Sequence, residues 1–162
     1  MVELLKSRID IYTDGSSRGN PGPGGYGAIM ISGNHRKELS EGFRLTTNNR
    51  MELLAVIKAL EAIKGPGHEV VVYSDSKYVV DAIQKNWIGG WIKKAWKDVK
   101  NPDLWKQYLK VSSSHHVRFV WIRGHNGHPM NERCDELAVE AAQGRNLGID
   151  AGYEASGANR LL

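Results

Sequence analysis

The sequence predicts an α/β fold, a mixed five-stranded sheet flanked by helices. Three observations carry this expectation. Short strand-like runs alternate with segments of helical spacing instead of clustering apart from them. Val70-Val71-Val72-Tyr73 is a continuous apolar run, the pattern of a strand buried on both faces in a parallel pair. Gly33-Asn34 lies between two strand-like runs, where it signals a hairpin and hence an antiparallel pair.

The elements follow in chain order. Residues 9–13 read as a strand that ends at Asp14, and residues 15–25 as a Gly/Pro-rich turn region. Residues 26–32 and 38–44 form the hairpin. Over residues 49–64 the apolar side chains Leu53, Val56, Ile57, Leu60 and Ile63 recur at helical spacing, and Gly65-Pro66-Gly67 stops that helix. The Val70 strand ends at Ser74-Asp75, with a helix expected from 76 to about 85. The tryptophan- and lysine-rich stretch that comes next predicts two helices broken near Asn101-Pro102. Residues 117–122 read as the fifth strand, and the last helix as starting near Asn131 and running to about Gln143. Helical crossovers make the Val70 and Val117 strands parallel to the first. Ligands in such sheets bind at the carboxyl ends of the parallel strands. Two of those ends carry aspartate, Asp14 and Asp75.

The length of 162 residues fits one domain, and 41% apolar residues supply a core. No apolar run approaches the ~20 residues of a membrane span. The first ten residues lack an apolar stretch with a cleavage site, so no signal peptide and a cytoplasmic location are expected. A single cysteine, Cys134, excludes an internal disulfide and a cysteine-based zinc cluster. The net charge is only +4, but residues 85–110 hold seven lysines against Asp98 and Asp103, a local charge of +5. Trp87, Trp91, Trp96 and Trp105 are interleaved with them. This block suits a polyanion-binding surface. It equally suits a solvated helix pair with buried tryptophans.

Four acids stand where a metal site could form: Asp14 and Asp75 at strand ends, Glu52 and Asp135 in what read as first turns of helices. Converging carboxylates repel one another and call for a counter-ion. Oxygen donors without cysteine or several histidines favour Mg²⁺ or Mn²⁺. Two such ions suit phosphodiester displacement. Each acid also has an ordinary reading. Asp14 could open a turn, Glu52 could close a capping box with Asn49, Asp75 could cap a helix, and Asp135 could answer a helix dipole. His125, on the glycine-rich loop Arg123-Gly124-His125-Asn126-Gly127-His128-Pro129, could move protons near neutral pH, or be an ordinary loop histidine. His128 precedes proline and reads as structural, while His115 and His116 precede the fifth strand, away from the acids.

From about Ile9 to Ala142 the chain resembles ribonuclease H of the bacterial type HI. The resemblance rests on five motifs in order: Tyr12-Thr13-Asp14-Gly15-Ser16, Thr47-Asn48-Asn49-Arg50-Met51-Glu52, Ser74-Asp75-Ser76, Gly124-His125-Asn126-Gly127-His128, and Asn131-Glu132-Arg133-Cys134-Asp135-Glu136-Leu137-Ala138. It implies a ribonuclease H-like fold over residues 1–144, with a tail of unassigned role at 145–162. It implies a monomer that cuts the RNA strand of an RNA–DNA hybrid with two Mg²⁺ (Mn²⁺ being the alternative), leaving 5′-phosphate and 3′-hydroxyl ends.

Under that resemblance Asp14, Glu52, Asp75 and Asp135 are catalytic metal ligands and His125 a mobile catalytic histidine. Residues 85–110 are a basic handle for the DNA strand, with Trp87, Trp91, Lys93, Lys94, Trp96 and Lys97 expected in its groove or its packing. Ser17, Asn20, Asn48 and Asn49 match positions that contact the hybrid. Thr47, Arg50 and Asn101 match positions at or beside a DNA-phosphate pocket. Lys77 stands where some relatives carry a substrate-contacting glutamine, which puts that contact in question. Met130 replaces an expected polar residue, and the tail after Asp150 is longer than expected. Two other readings compete: an integrase or Holliday-junction nuclease of the same superfamily, and a non-catalytic hybrid-binding module. The first should lack the handle together with the His125 loop, and the second would tolerate loss of an acid.

Overall fold

The computed structural model describes residues 8–124 and 126–156. The elements run β1 (Arg8–Ser17), β2 (Gly22–Ser32), β3 (His35–Thr46), α1 (Asn48–Glu61), β4 (Glu69–Ser74), α2 (Lys77–Gln84), α3 (Trp87–Lys93), α4 (Pro102–Ser112), β5 (His116–Trp121), α5 (Pro129–Ala142) and α6 (Ala151–Ala155). The sheet has the order β3-β2-β1-β4-β5. Strands β1, β2 and β3 pair antiparallel, whereas β4 lies parallel to both β1 and β5. This is the mixed five-stranded sheet that the sequence predicts. Val70, Val71 and Val72 are all buried, as expected of a strand covered on both faces.

Helices α1 and α4 cover one face, where Leu53, Val56, Ile57, Leu60, Leu104, Trp105 and Tyr108 join the core formed with Ile9, Ile11, Val70 and Val72. Helix α5 covers the other face, where Cys134 and Leu137 meet Ile29.

The region expected to be a turn at 15–25 is mostly strand. β1 continues to Ser17 and β2 already begins at Gly22, leaving only residues 18–21 as the connection. Some glycines in and beside this region are required because the backbone of α5 lies on them. A Cβ on Gly25 would stand 2.6 Å from the Ala138 carbonyl oxygen, and one on Gly27 would meet the Cys134 carbonyl oxygen. Gly42, which faces Gly25 across the β2–β3 pair, would meet the Ala141 carbonyl oxygen. Glycine inside a strand commonly marks such close backbone approach.

The segment 145–156, left unassigned from the sequence, is packed onto the same unit. Phe43 and Gly148 form a parallel bridge. Arg44 makes a two-pronged ion pair to Glu154, with Nη2–Oε1 at 2.8 Å and Nε–Oε2 at 2.9 Å. Asp150, 7% exposed, caps α6 through Tyr153 N–H and accepts from the Thr46 hydroxyl at 2.7 Å. The expected boundary at 144 therefore does not mark the end of the packed unit. Residues 157–162 lie outside the described residues, as do residues 1–7, on which the signal-peptide reading rested. Among the described residues no helix is long and apolar enough to cross a membrane.

Candidate active site

The β1–β4 pairing ends at Thr13 and Ser74, so the residues that follow, Asp14 (still within β1) and Asp75 (just past the end of β4), stand side by side. Helix α1 lays Glu52 against the same edge, and one carboxylate oxygen from each of Asp14, Glu52 and Asp75 lies within 4.8 Å of the others. Asp135 on α5 lines the same cleft, together with Gly15, Ser16, Asn48, Asn49, Ser76, Lys77 and Tyr78. The cleft holds about 410 Å³.

The ordinary roles of these acids belong to other residues. Helix α1 starts at Asn48 and is capped by Thr47, whose hydroxyl accepts from Arg50 N–H at 3.2 Å. Glu52 is thus two residues deeper in the helix than expected, neither a cap nor part of a capping box. Ser76, not Asp75, caps α2, accepting from Val79 N–H. Helix α5 starts at Pro129 behind His128, which moves Asp135 out of the first turn, where the helix dipole acts. Asn48 and Asn49 do not cap α1 either and are exposed in the cleft.

Gly15 ties two of the acids together. Its N–H donates to Asp14 Oδ1 at 2.9 Å and to Glu52 Oε1 at 2.8 Å. The other Glu52 oxygen, Oε2, is buried with no hydrogen-bond partner among the described residues. A buried, partnerless acceptor is costly. Set among carboxylates, with no cysteine or histidine in the group, it fits a hard divalent cation.

Burial, followed by the charges of Asp75 and Asp135, raises the Asp14 carboxyl to about 7, although Gly15 and Glu52 lower it. Burial and the neighbouring Asp14 raise Glu52 well above the usual carboxylate range. The folded chain therefore keeps protons that the unfolded chain has released between about pH 4 and pH 7. Metal-free stability should fall as pH rises through that window. Thermal melts in EDTA should show the fall, and Mg²⁺ should raise the Tm more at about pH 8 than at about pH 5. An equal Mg²⁺ increment at both would separate the metal from these acids.

The other expected site residues fall into distinct places. Thr47 and Asn101 line a second cleft of about 490 Å³ with Asn20, Pro21, Asn49, Lys100, Tyr153 and Ser156. Asn20 Oδ1 accepts from Asn48 N–H at 3.1 Å, tying the two clefts together. Arg50, expected beside a DNA phosphate, is only 2% exposed. Its guanidinium is matched by Asp150 (Nε–Oδ2 2.7 Å) and Asp103 (Nη2–Oδ2 2.7 Å), and it donates to Asn101 Oδ1 at 3.2 Å. It serves as the floor of this cleft. Ser16 rather than Ser17 lines the acid cleft.

In the handle, α3 and α4 are joined through residues 94–101, where Ala95, Trp96, Asp98 and Asn101 take left-handed backbone angles. Trp91 and Trp96 pack its base onto the core, Trp91 at 5.5 Å from the buried Trp105 ring. Trp87 is 41% exposed, and Lys93, Lys94 and Lys97 are all exposed. His125 lies outside the described residues. Its neighbour Gly124 passes so close to Asp75 that a Cβ there would stand 2.5 Å from Oδ2. Gly15, Tyr78, Asp103, Asp150 and Gly124 are not among the site residues that the sequence predicts. No local pattern marks the two aspartates, whereas the two glycines sit inside the quoted motifs.

Known proteins resemble this chain along nearly its whole length. A ribonuclease H of Aeromonas hydrophila subsp. hydrophila is 54% identical over 156 residues, covering 93% of this chain and 99% of the relative. One of Syntrophus aciditrophicus is 52% identical over 153 residues, covering 91% and 88%. Among solved structures, LC9-RNase H1, described as a type 1 RNase H with the type 2 active-site motif, superposes with a TM-score of 0.80 at 33% identity, covering 98% of this chain and 84% of that one. LC11-RNase H1, solved in complex with an RNA/DNA hybrid, gives a TM-score of 0.60 at 31% identity, covering 83% and 96%. The RNase H family pattern matches residues 6–143, a span that holds all four clustered acids. A strand register that delivers Asp14 and Asp75 together, and a match this long to relatives this similar, have one common explanation: the chain belongs to the ribonuclease H family.

Proposed function

We propose that this protein is an endoribonuclease that hydrolyses the RNA strand of RNA–DNA hybrids. It would use two Mg²⁺ ions held by Asp14, Glu52, Asp75 and Asp135, and leave 5′-phosphate and 3′-hydroxyl ends. The observation that carries this reading is the cleft of four carboxylates with the partnerless Glu52 Oε2 inside it. Divalent ions bound there would supply charge for the attacking and leaving oxygens of the phosphodiester.

The chain's own groups bind, orient and read. Asn48 and Asn49, amides with donors and acceptors, stand in the wall of the acid cleft. They suit the 2′-OH of the strand to be cut, the group that distinguishes RNA from DNA. The cleft of Thr47, Lys100 and Asn101 suits a phosphate of the DNA strand, with Asn20 between the two strands. Lys93, Lys94 and Lys97, with Trp87 exposed beside them, suit the DNA backbone through counter-ion release. His125 would move a proton at the cleavage site or assist product departure. The buried single thiol of Cys134 agrees with a cytoplasmic setting, and the protein would act as a monomer.

The test is a Mg²⁺ titration on an end-labelled hybrid, with single-stranded RNA, double-stranded RNA and DNA duplex alongside. Metal-dependent cutting confined to the RNA strand of the hybrid is expected. A DNA duplex with a short ribonucleotide run should be cut within or at the edge of that run, and 2′-fluoro substitution of the run should block cutting. Products with 2′,3′-cyclic ends, or equal cutting of the fluoro substrate, would overturn the reading.

A further inference from the structure

Lys77 is the first residue of α2, and Trp121 is the last of β5. Trp121 pairs with Ser74 across β4 and β5, which brings its ring to the strand end that carries Asp75. The Lys77 ammonium lies over that ring, 4.3 Å from its centroid. The indole N–H donates to the Asp75 carbonyl at 3.3 Å, which fixes the ring against the site. For a large apolar side chain Trp121 is unusually open, at 41% exposure. Lys77 itself lines the acid cleft.

A lysine beside four carboxylates has an obvious alternative, which is to fall among them and neutralise them. A flexible ammonium can do so readily. The ring offers a competing place, because the negative face of an indole attracts a cation. There the charge stays at the rim, leaving the carboxylates to other cations and facing the route by which an anionic strand must enter. We infer that Trp121 is a positioning residue, whose indole face holds Lys77 at the rim of the acid cleft to take a phosphate of the strand lying across it. This rests on the function proposed above, and it gives Lys77 a phosphate contact at the position where some relatives carry a glutamine.

The test measures steady-state cleavage of a labelled hybrid at several salt concentrations. The variants are Lys77→Met, Trp121→Phe, Trp121→Leu and the Lys77→Met/Trp121→Leu double. Lys77→Met should raise KM about three- to tenfold, more than it lowers kcat, and reduce the salt slope by about one. Trp121→Leu keeps apolar cover but has no π face, and should reproduce those changes. Trp121→Phe keeps a π face without the N–H and should restore most of the wild-type KM and slope. The double variant should be no worse than Lys77→Met alone. The inference is wrong if Lys77→Met leaves KM and slope unchanged, or if the two losses add. It is also wrong if Trp121→Phe is as poor as Trp121→Leu, since the bond to Asp75 would then be what matters. Should Trp121→Leu not fold, Lys77→Met and Trp121→Phe alone decide. Wild-type protein that fails to cut the hybrid would sink the proposed function instead.

Discussion

In Mg²⁺, Asp14→Asn is expected to cut a labelled hybrid at least about a thousandfold more slowly than the wild type, while binding the hybrid with similar affinity. The substitution removes one formal charge from the metal site with almost no change in shape, and several kcal/mol of metal-based stabilisation corresponds to a loss of that size. The same variant should be more stable than the wild type without metal. Asp14 is held at about 7 by burial and by its acidic neighbours. Its ionised form is therefore a burden on the folded state at about pH 8, on the order of 2–4 kcal/mol before any sharing with Glu52. A higher Tm in EDTA together with near-zero turnover is the expected pair of results. Wild-type turnover would remove Asp14 from the site. An unchanged Tm in EDTA would mean that the cluster is not repulsive in the metal-free protein.

Gly15→Ala is expected to be nearly as damaging, without any change of charge. A Cβ at Gly15 would be driven into the backbone of α1, at Glu52 N and Met51 C, where no side-chain rotation can relieve it. Overpacking of this kind typically costs ~1–3 kcal/mol, and backbone contacts put it at the upper end. The N–H that joins Asp14 to Glu52 would shift with the chain, so cleavage should fall more than stability alone explains. Gly90→Ala is the matched control. Its added methyl group meets nothing within 4 Å, and it sits within α3. It should gain ~0.5–1 kcal/mol from helix propensity. Melting curves and cleavage rates on the two variants decide the matter, and a Gly15→Ala protein with wild-type values for both would show that α1 can retreat freely from β1.

Much of this was legible in the sequence, for physical reasons that differ by element. The Val70 run, the 3.6-residue spacing of Leu53, Val56, Ile57 and Leu60, and the Gly33-Asn34 turn are local signals that the fold does not override. Asp14 and Asp75 could be brought together because they follow a parallel pairing that helical crossovers impose, whereas only the resemblance gathers all four acids. Helices α1 and α5 start a residue or two before the Asn49 and Asn131 that the sequence predicts, because Thr47 and His128 do the capping. Residues 22–25 read as a turn because glycine permits turns, whereas pairing with β1 and β3 makes them strand. Arg50 lies beside Thr47 and Asn101. Its burial depends on Asp103 and Asp150, 53 and 100 residues away in sequence, partners that no local pattern announces.

The glycines beneath α5 bear on the fourth acid. Asp14 and Asp75 are carried by paired strands, and Glu52 is bonded to the Gly15 N–H, so these three form one rigid frame. Asp135 rides on a separate body, and its height above that frame is the standoff between α5 and the sheet. Three absent methyl groups, at Gly25, Gly27 and Gly42, set that standoff. The gap across which the fourth carboxylate must reach is thus gauged between helix and sheet, by residues that do not line the acid cleft. Alanine at any of the three would lift α5 from the sheet and widen that aperture, favouring a larger ion, while every residue of the acid cleft stayed the same.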